Sequence, residues 1–438
     1  KTALISDNSE SAGQPETVDS ISLYAENSDS DKTTTTSLTN PSSQISANSL
    51  SSLQNAQVAS GNNFEVVLKT DGTVWTWGHN NYGQIGNGKI EAVSSPNPTQ
   101  VLGVNGEGYL ENIKQISAGA YSGYALTQDG KVLAWGRNTY GQLGNNSTKD
   151  SGTPVYVKKQ VQVTDEDGNT TTGYEDLDNI VQISGGASHF LAVDANGNAW
   201  SVGVNNYGQL GINVGNTTTS NANYKRIYAV KVQKTIKITA EDGTETTGLA
   251  DLDNVKKVSG GTDFSVALLN DGTVMAWGLG TSGQIGNNAA ATVYIPKAVY
   301  NLTDVADIDA GGLQTIALKK DGTVWAWGIN RYGNLGINTA STTTSNAAYK
   351  KVVPVQVLKA ASTPITDVVE IASLYETSYA RLEDGSVYGW GLNTSGQIGD
   401  NTLSNRTVAT PVKKLGGEKI TKIKQLPDGQ HSHVNMMI

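Results

Sequence analysis

The sequence predicts an all-β fold of small sheets stacked side by side, and three observations support this prediction. Glycine accounts for 49 of the 438 residues, and only 16% of the chain is charged, against roughly 25% in an average globular protein. One string built around Asp-Gly and Trp-Gly pairs recurs six times, with Asn-Gly and Val-Gly in their places in the third copy. In each copy, apolar and polar residues alternate in short segments bounded by turn residues, which is typical of short β-strands. A sheet of this size cannot bury both faces alone, so we expect radial stacking of repeats.

The first element is an N-terminal extension, residues 1–52, whose composition differs from the rest of the chain. It holds 21 serines and threonines, two lysines and no tryptophan, which is typical of a segment without its own core. Within it, residues 21–27 (Ile-Ser-Leu-Tyr-Ala-Glu-Asn) resemble residues 132–138, and Tyr24 takes the place of Trp135. We therefore predict one strand near residues 20–27.

The second element is the repeat unit. A strand of small residues is followed by an Asp-Gly pair, which supplies the positive φ of a tight hairpin turn. The return strand ends in Trp-Gly, and its tryptophan fills the space between adjacent sheets. An Asn-x-x-Gly-Gln-Leu-Gly loop follows, in which glycine is needed for the backbone geometry. The tryptophan position falls at residues 77, 135, 202, 277, 327 and 390, with valine at 202.

This motif resembles the RCC1 repeat, named for the regulator of chromosome condensation, over residues 53–438. The resemblance implies a β-propeller, usually of seven blades with four strands each. It also implies a protein that works through protein–protein contacts on its loop faces. The fold class we expect is therefore an all-β, seven-bladed propeller with two hairpin insertions and an N-terminal extension.

The seventh blade is incomplete in the sequence. Residues 423–436 align without gaps on residues 113–126, but no Asp-Gly turn or Trp-Gly strand follows. We predict that the N-terminal strand completes this blade, either within one chain or by exchange between chains, which would build filaments. The candidate residues for closure or exchange are Ile21, Leu23, Tyr24, Val434 and Met436.

The third type of element is a pair of similar insertions. Residues 155–170 and 230–244 alternate strongly, and each turns at an Asp-Gly pair, so we predict two long β-hairpins projecting from successive blades. Insertions on one side of a repeat scaffold often form its binding side. The interaction candidates are the acidic residues at the turns, Asp165, Asp167, Glu241 and Asp242. A calcium loop at residues 165–169 is disfavoured because the spacing and terminal glutamate of an EF-hand are missing.

The sequence contains no pattern of catalytic or metal-binding residues. There are no cysteines and four histidines, and the net charge is −9 without a basic cluster, which disfavours a nucleic-acid partner. The resemblance implies a buried structural role for His189 and His431, which occupy a position where RCC1-like repeats often carry a histidine. His431 and His433 alternate along one strand but lack a third metal ligand. Packing between blades is the favoured role of Tyr82, Tyr140, Tyr207 and Tyr332, with stacking on a sugar or peptide as the alternative. We predict no enzyme activity, cofactor or metal.

The expected function is therefore structural. No apolar run approaches the roughly 18 residues of a membrane helix, and the cysteine-free, Ser/Thr/Asn-rich composition fits an exported bacterial surface protein. We expect an extracellular or cell-surface interaction protein whose partner is a second copy of itself. The alternative is a monomeric secreted propeller that binds or inhibits another protein through its loop face.

Overall fold

The computed structural model describes residues 56–215 and 221–413, together with three two-residue strands at Ala3–Leu4, Asp428–Gly429 and Met436–Met437. Regular structure in these residues is β apart from two short 3-10 turns, Val104–Gly106 and Ala222–Tyr224. The all-β prediction is therefore confirmed. The described residues contain no helix with the length and apolar character of a membrane span.

Six antiparallel units of four strands follow one another along the described chain, one for each copy of the motif, and we call them blades 1 to 6. Additional strands extend the sheets of blades 1 and 3 to five and six strands. Blade 1 consists of the strands Gln57–Gly61, Phe64–Leu68, Val74–Gly78 and Ser95–Gln100. Blade 2 consists of Ile113–Ala118, Ser122–Thr127, Val132–Gly136 and Ser151–Tyr156. Blade 3 consists of Ile180–Gly185, His189–Asp194, Ala199–Val204 and Lys225–Lys231. Blade 4 consists of Val255–Gly260, Phe264–Leu269, Val274–Gly278 and Val293–Ala298. Blade 5 consists of Val305–Ala310, Gln314–Lys319, Val324–Ile329 and Lys350–Gln356. Blade 6 consists of Val368–Leu374, Thr377–Leu382, Val387–Gly391 and Arg406–Pro411.

The first strand of each blade is its inner strand and contacts the inner strand of the next blade, which produces the radial arrangement of a propeller. Small residues permit this approach. A Cβ added at Gly119 would lie 2.7 Å from the carbonyl oxygen of Gly186 in the next blade. The Asp-Gly pairs form the turns between second and third strands, where Gly72 has φ 81° and the Thr73 N–H donates to Asp71 Oδ1 at 3.0 Å.

The apolar core lies between the blades. Trp135 on the third strand of blade 2 is fully buried against apolar residues of blade 1. Its indole Nε1 donates a hydrogen bond to the Gln84 carbonyl oxygen of blade 1 at 2.9 Å. The same bond joins Trp277 to Gln209, Trp327 to Gln284 and Trp390 to Asn334, at 2.9, 2.9 and 3.0 Å. The tryptophans fill the space between sheets, as the repeat unit predicts, and also tie each blade to the preceding loop.

Two long hairpins connect the outer strand of one blade to the inner strand of the next. They pair Lys158–Thr164 with Thr170–Asp176, and Gln233–Thr239 with Glu245–Asp251. Instead of projecting freely, the base of the first hairpin lies along the outer strand of blade 3, where Lys159 pairs with Ala229. This contact pairs backbone groups at one point of a sheet edge that would otherwise be open there. A short third hairpin pairs Leu358–Ala360 with Thr363–Pro364.

The segment shared by the two long insertions anchors each hairpin at its base. Leu177 and Leu252 are buried between blades. In the first hairpin, Asp176 accepts from the Nζ atoms of Lys158 and Lys131 at 2.9 and 3.2 Å. Its counterpart Asp251 pairs with a lysine of the preceding outer strand. The repeated Asp-Leu-Asp-Asn sequence is thus explained by one buried leucine and its flanking ion pairs.

The chain ends contribute the three short strands. Asp428–Gly429 runs parallel to the inner strand of blade 1, opposite Ala59 and Ser60, and also contacts the inner strand of blade 6. Ala3–Leu4 runs parallel to Met436–Met437, with Ala3 opposite Met436. Of the residues predicted for closure, Met436 is described, and it pairs with Ala3 and not with the predicted strand at residues 20–27. Ile21, Leu23, Tyr24 and Val434 lie outside the described residues. The described residues thus form six full blades and a strand placed between the last and the first.

Candidate functional site

The loops of the propeller emerge on two opposite faces. One face carries the Asp-Gly turns and the hairpins. The other carries the connections from first to second strand and the Asn-x-x-Gly loops between third and fourth strands. We call this second face the tyrosine face, because its loops hold Tyr82, Tyr121, Tyr140, Tyr207, Tyr224, Tyr332 and Tyr375. All of these side chains are partly exposed.

Buried amides hold the tyrosine-bearing loops in one conformation. In blade 1, Asn80 Oδ1 accepts the Ile85 N–H at 3.1 Å, and Gln84 Oε1 accepts the Tyr82 N–H at 2.9 Å. Gly83 has φ 83°, a left-handed conformation that favours glycine. Equivalent bonds recur around Asn138, Asn205, Asn330 and Asn393. The motif residues therefore serve as a rigid frame, and the variable residues between them face the solvent.

The densest grouping on the tyrosine face is a cation surrounded by aromatic rings, which we call the Arg137 cluster. The guanidinium carbon of Arg137 lies 4.9, 5.4 and 5.5 Å from the ring centroids of Tyr82, Tyr140 and Tyr121. Tyr82 and Tyr121 meet edge to face at 5.2 Å. Tyr140 continues toward Tyr224 of blade 3, at 6.1 Å. The cluster, defined by Arg137, Tyr82, Tyr121 and Tyr140, spans the boundary between blades 1 and 2.

Arg137 has no acidic partner within the described part of the chain, where it makes no ion pair or side-chain hydrogen bond. Its Nε is buried without a hydrogen-bond partner. A second arginine on the same face, Arg331, stacks on Tyr332 at 5.5 Å but is neutralised by the buried carboxylate of Glu376. The two arginines therefore share an aromatic environment and differ in charge compensation.

One carboxyl group on the tyrosine face is strongly perturbed. Asp263 lies in the first-to-second-strand loop of blade 4, and burial raises its pKa from 3.8 to about 6. Gln209 Nε2 of blade 3 donates to Asp263 Oδ1 at 3.2 Å. The carboxyl group therefore joins blades 3 and 4.

The sequence-predicted interaction residues lie on the opposite face, at the tips of the two long hairpins. Asp165, Asp167, Glu241 and Asp242 are all exposed. Hydrogen bonds from Asn169 lower the pKa of Asp165, and hydrogen bonds from Thr244 lower that of Asp242. Both carboxylates therefore stabilise their own turns. No group of three metal-ligating side chains occurs in the described ranges.

His189 is fully buried, as expected for a structural residue. Its Nε2 lies 3.0 Å from Ser265 Oγ of blade 4, and that hydroxyl donates to the Gln209 carbonyl oxygen at 2.8 Å. His189 therefore contributes to the contact between blades 3 and 4. His431 and His433 lie outside the described residues.

Sequence reasoning identified Tyr82 and Tyr140 but missed Arg137 and Tyr121. One signal was available, because Arg137 directly follows a Trp-Gly pair, and that position is apolar in four of the six repeats. The occupants are His79, Arg137, Val204, Leu279, Ile329 and Leu392. A cation at a position that normally packs indicates a role other than packing.

Comparison with protein families gives a match along most of the chain. A model described as the regulator of chromosome condensation (RCC1) repeat matches residues 56–84, 113–142, 180–209, 255–284, 305–334 and 368–397. A second model with the same description matches residues 71–126, 129–193, 271–318, 321–373 and 384–424. The matched segments follow the six blades.

Similar curated proteins share part of the chain. It is 28% identical over 252 residues to the regulator of chromosome condensation of Xenopus laevis, covering 55% of this chain and 50% of that protein. It is 29% identical over 250 residues to the E3 ubiquitin-protein ligase HERC2 of Homo sapiens, covering 56% of this chain and 4% of that protein. The matched region is thus half or less of each relative's length.

Solved structures show the same fold. Prp20p of Saccharomyces cerevisiae, whose binding to Gsp1p and histones is described with its structure, superposes with a TM-score of 0.62 at 21% identity, covering 85% of this chain and 80% of Prp20p. Human WBSCR16 gives a TM-score of 0.59 at 20% identity, covering 86% of this chain and 85% of WBSCR16. At these identities the likeness establishes the β-propeller architecture.

Proposed function

Because the chain belongs to the regulator of chromosome condensation (RCC1) repeat family, we propose that it binds a partner protein through its tyrosine face. The RCC1-like propeller is a non-catalytic protein-interaction domain. Our proposal specifies which face binds the partner and that a single copy of the protein is sufficient for binding. It corresponds to the second of the two functions that the sequence suggests.

The observation that carries this proposal is the accumulation of tyrosine and arginine in the loops of one face. Tyrosine and arginine are enriched at protein interfaces and in the residues that dominate binding energy. Tyrosine adds contact area with few rotatable bonds, so little conformational entropy is lost on binding. The Arg137 cluster is held by a rigid frame, which lowers the ordering cost of association further.

A peptide-library selection tests the proposal. Random peptides displayed on phage are selected against the immobilised protein, and the enriched peptides are then measured against variants. We expect binding to be lost in a Tyr82→Ala, Tyr140→Ala variant and retained in an Asp167→Ala, Glu241→Ala variant of the opposite face. Equal binding to both variants, or loss only in the second, contradicts the proposal.

Self-assembly by strand exchange is a second candidate, and Trp77 supports the seventh blade that it requires. The four buried tryptophans at this repeat position each donate to a carbonyl of the preceding blade, whereas the Trp77 indole makes no hydrogen bond to the described residues and is only partly buried. In a seven-bladed ring, the acceptor for Trp77 would come from the seventh blade. We propose that the extension 1–52 completes that blade against the propeller 53–438, and that donation to a neighbouring copy builds filaments.

Size-exclusion chromatography and electron microscopy of the full chain and of a chain lacking residues 1–30 test the exchange. Concentration-dependent polymers that disappear on truncation are the expected result. A monomer in both cases excludes exchange and leaves closure within one chain.

The location of the protein is a separate proposal that depends on composition. The absence of cysteine and the abundance of Ser, Thr and Asn support an extracellular or cell-surface position on a bacterium. Antibody detection in surface and medium fractions of the source cells tests it, and confinement to the cell interior would contradict it.

A further inference from the structure

We propose that the Arg137 cluster is a carboxylate-binding site that recognises an acidic peptide segment of the partner protein. The inference depends on the proposed function, because it assigns the chemistry of the partner to the tyrosine face. It follows from the charge state of Arg137, the position of the residue in the repeat, and the arrangement of the rings around it.

Charge compensation separates Arg137 from the other arginines of the chain. Three of the five pair with carboxylates: Arg331 with Glu376, Arg381 with Glu370 and Arg406 with Asp400. Arg226 donates to the main-chain carbonyls of Ala222 and Lys225. Arg137 alone makes no such bond to the residues that the structure describes. A guanidinium that is partly desolvated without an anionic partner is an electrostatic cost that a bound carboxylate removes.

The position in the repeat indicates that packing does not require this charge. The equivalent residues Val204 and Ile329 are buried apolar side chains. Leucine occupies the same place in blades 4 and 6. A leucine at position 137 would therefore satisfy the fold, and the arginine adds a charge that the propeller itself does not use.

The ring geometry leaves the hydrogen-bonding edge of the guanidinium available. Tyr82, Tyr121 and Tyr140 lie within cation–π distance of the guanidinium carbon. The Arg137 side chain is partly exposed, and its terminal Nη atoms make no hydrogen bond to the described residues. A carboxylate accepts two parallel N–H bonds from such a fork, a geometry that lysine does not reproduce.

Neighbouring groups add to the preference for an anion. Lys225 of blade 3 is bound through Nζ to the Thr139 carbonyl oxygen at 3.1 Å, which places a second cation beside the Tyr140 loop. Asp150, in the same loop, accepts the Asn138 N–H at 2.7 Å and keeps its negative charge, so the two cations Arg137 and Lys225 outnumber one nearby carboxylate. In a chain with a net charge of −9, this is a local cationic site that an acidic peptide can reach.

Fluorescence polarisation with defined peptides tests the site. The probes are a labelled Gly-flanked hexaglutamate with an amidated C-terminus, the matching hexaglutamine, and a hexaglutamine with a free C-terminal carboxylate. We expect binding of hexaglutamate and at least about tenfold weaker binding in Arg137→Leu, with a partial loss in Arg137→Lys. Binding only of the free-acid hexaglutamine would assign the site to a chain terminus instead of acidic side chains and overturn the proposal.

Arg226→Gln is the matched control, since it removes the same charge from the same face at a residue bonded only to carbonyl and amide oxygens of its own loop. Thermal melts establish that Arg137→Leu is folded. If both variants weaken hexaglutamate binding equally, the effect is nonspecific electrostatic attraction and the inference is overturned. Unchanged hexaglutamate binding in Arg137→Leu would also overturn it. If phage-selected peptides bind the tyrosine face but are not acidic, this inference fails while the proposed function stands.

Discussion

At the scale of single residues, the polar groups buried between blades are the sensitive points of this propeller. Burial of Asp263 raises its pKa to about 6, so the folded state binds a proton more tightly than the unfolded state does. Above pH 6 the carboxyl is ionised in both states, and folding then bears the cost of desolvating a charge. The stability linked to this group therefore rises as the pH falls from about 7 to about 4.

Asp263→Asn should stabilise the protein at neutral pH. The amide keeps an acceptor for Gln209 Nε2 and carries no charge, so we expect a gain of about 2 kcal/mol in the free energy of unfolding at pH 7.5. At pH 4 the wild-type carboxyl is protonated in the folded state, and the difference should largely disappear. Urea denaturation at both pH values measures this, and an equal effect at both would contradict the assignment.

Trp135→Phe should cost more than the same change at Trp77. Trp135 is fully buried and donates to the Gln84 carbonyl oxygen, so the substitution leaves a cavity and removes a hydrogen bond, and we expect a loss of about 2 to 4 kcal/mol. Trp77 is partly exposed and makes no such bond to the described residues. Chemical denaturation of the two variants provides the comparison, and equal losses would show that the interblade bond is unimportant.

At the scale of the structural element, the loop carbonyl between third and fourth strands acts as an acceptor that needs a donor. In most blades the tryptophan of the next blade supplies it. Blade 3 has Val202 at the tryptophan position, and Tyr124 of blade 2 donates instead to the Gln142 carbonyl oxygen at 3.2 Å. Tyr379 does the same for Gln397 in blade 6, at 2.5 Å. In blades 2 and 6 a tyrosine of the same sheet therefore supplies the donor.

Tyr124→Phe should therefore destabilise the junction between blades 2 and 3. The substitution removes only the hydroxyl, leaving a buried carbonyl without that donor, and we expect a loss of about 1 to 2 kcal/mol. Tyr300→Phe is the control, since Tyr300 is exposed and its hydroxyl makes no hydrogen bond to the described residues. Melting temperatures of the two variants decide the matter, and a Tyr124→Phe variant as stable as the control would contradict this explanation of the tyrosine.

At the scale of the whole molecule, ring closure is the property that depends on the chain ends. Asp428–Gly429 lies between the inner strands of blades 1 and 6. Each other blade is held on both sides by neighbours from the continuous chain. In a repeat architecture, stability is close to a sum of unit and neighbour contributions, so loss of one contact weakens mainly the adjacent units.

Deletion of residues 414–438 should loosen blades 1 and 6 selectively. We expect faster hydrogen exchange in Gln57–Gly61 and Val368–Leu374 than in the full chain, with blades 3 and 4 of the same molecule as the internal control. Hydrogen exchange followed by mass spectrometry measures this. A uniform change around the ring, or none, would show that closure does not depend on the C-terminal segment.

The sequence by itself determined the repeat, its turns and the location of its core. Asp-Gly pairs, small-residue strands and Trp-Gly strands act over a few residues, so their geometry follows from local chemistry and periodicity. It also indicated the incomplete seventh unit, although most residues of the predicted closure lie outside the described part of the chain. The acidic hairpin tips were recognised as exposed turns, and their role as interaction residues stays a prediction.

Only the tertiary structure decided which residues meet across blades. Arg137 and Tyr82 lie 55 positions apart in the sequence, and Trp135 and Gln84 lie 51 apart. The Arg137 cluster, the tryptophan-to-carbonyl bonds and the pairing of the first long hairpin with the outer strand of blade 3 all depend on how one sheet is set against the next. The sequence does not reveal such contacts by a constant spacing, because insertions change the number of residues between repeats. Each sheet nevertheless packs against the next in the same way. The Arg137 cluster therefore forms only when two blades pack against each other, whereas the sequence determines the blades themselves.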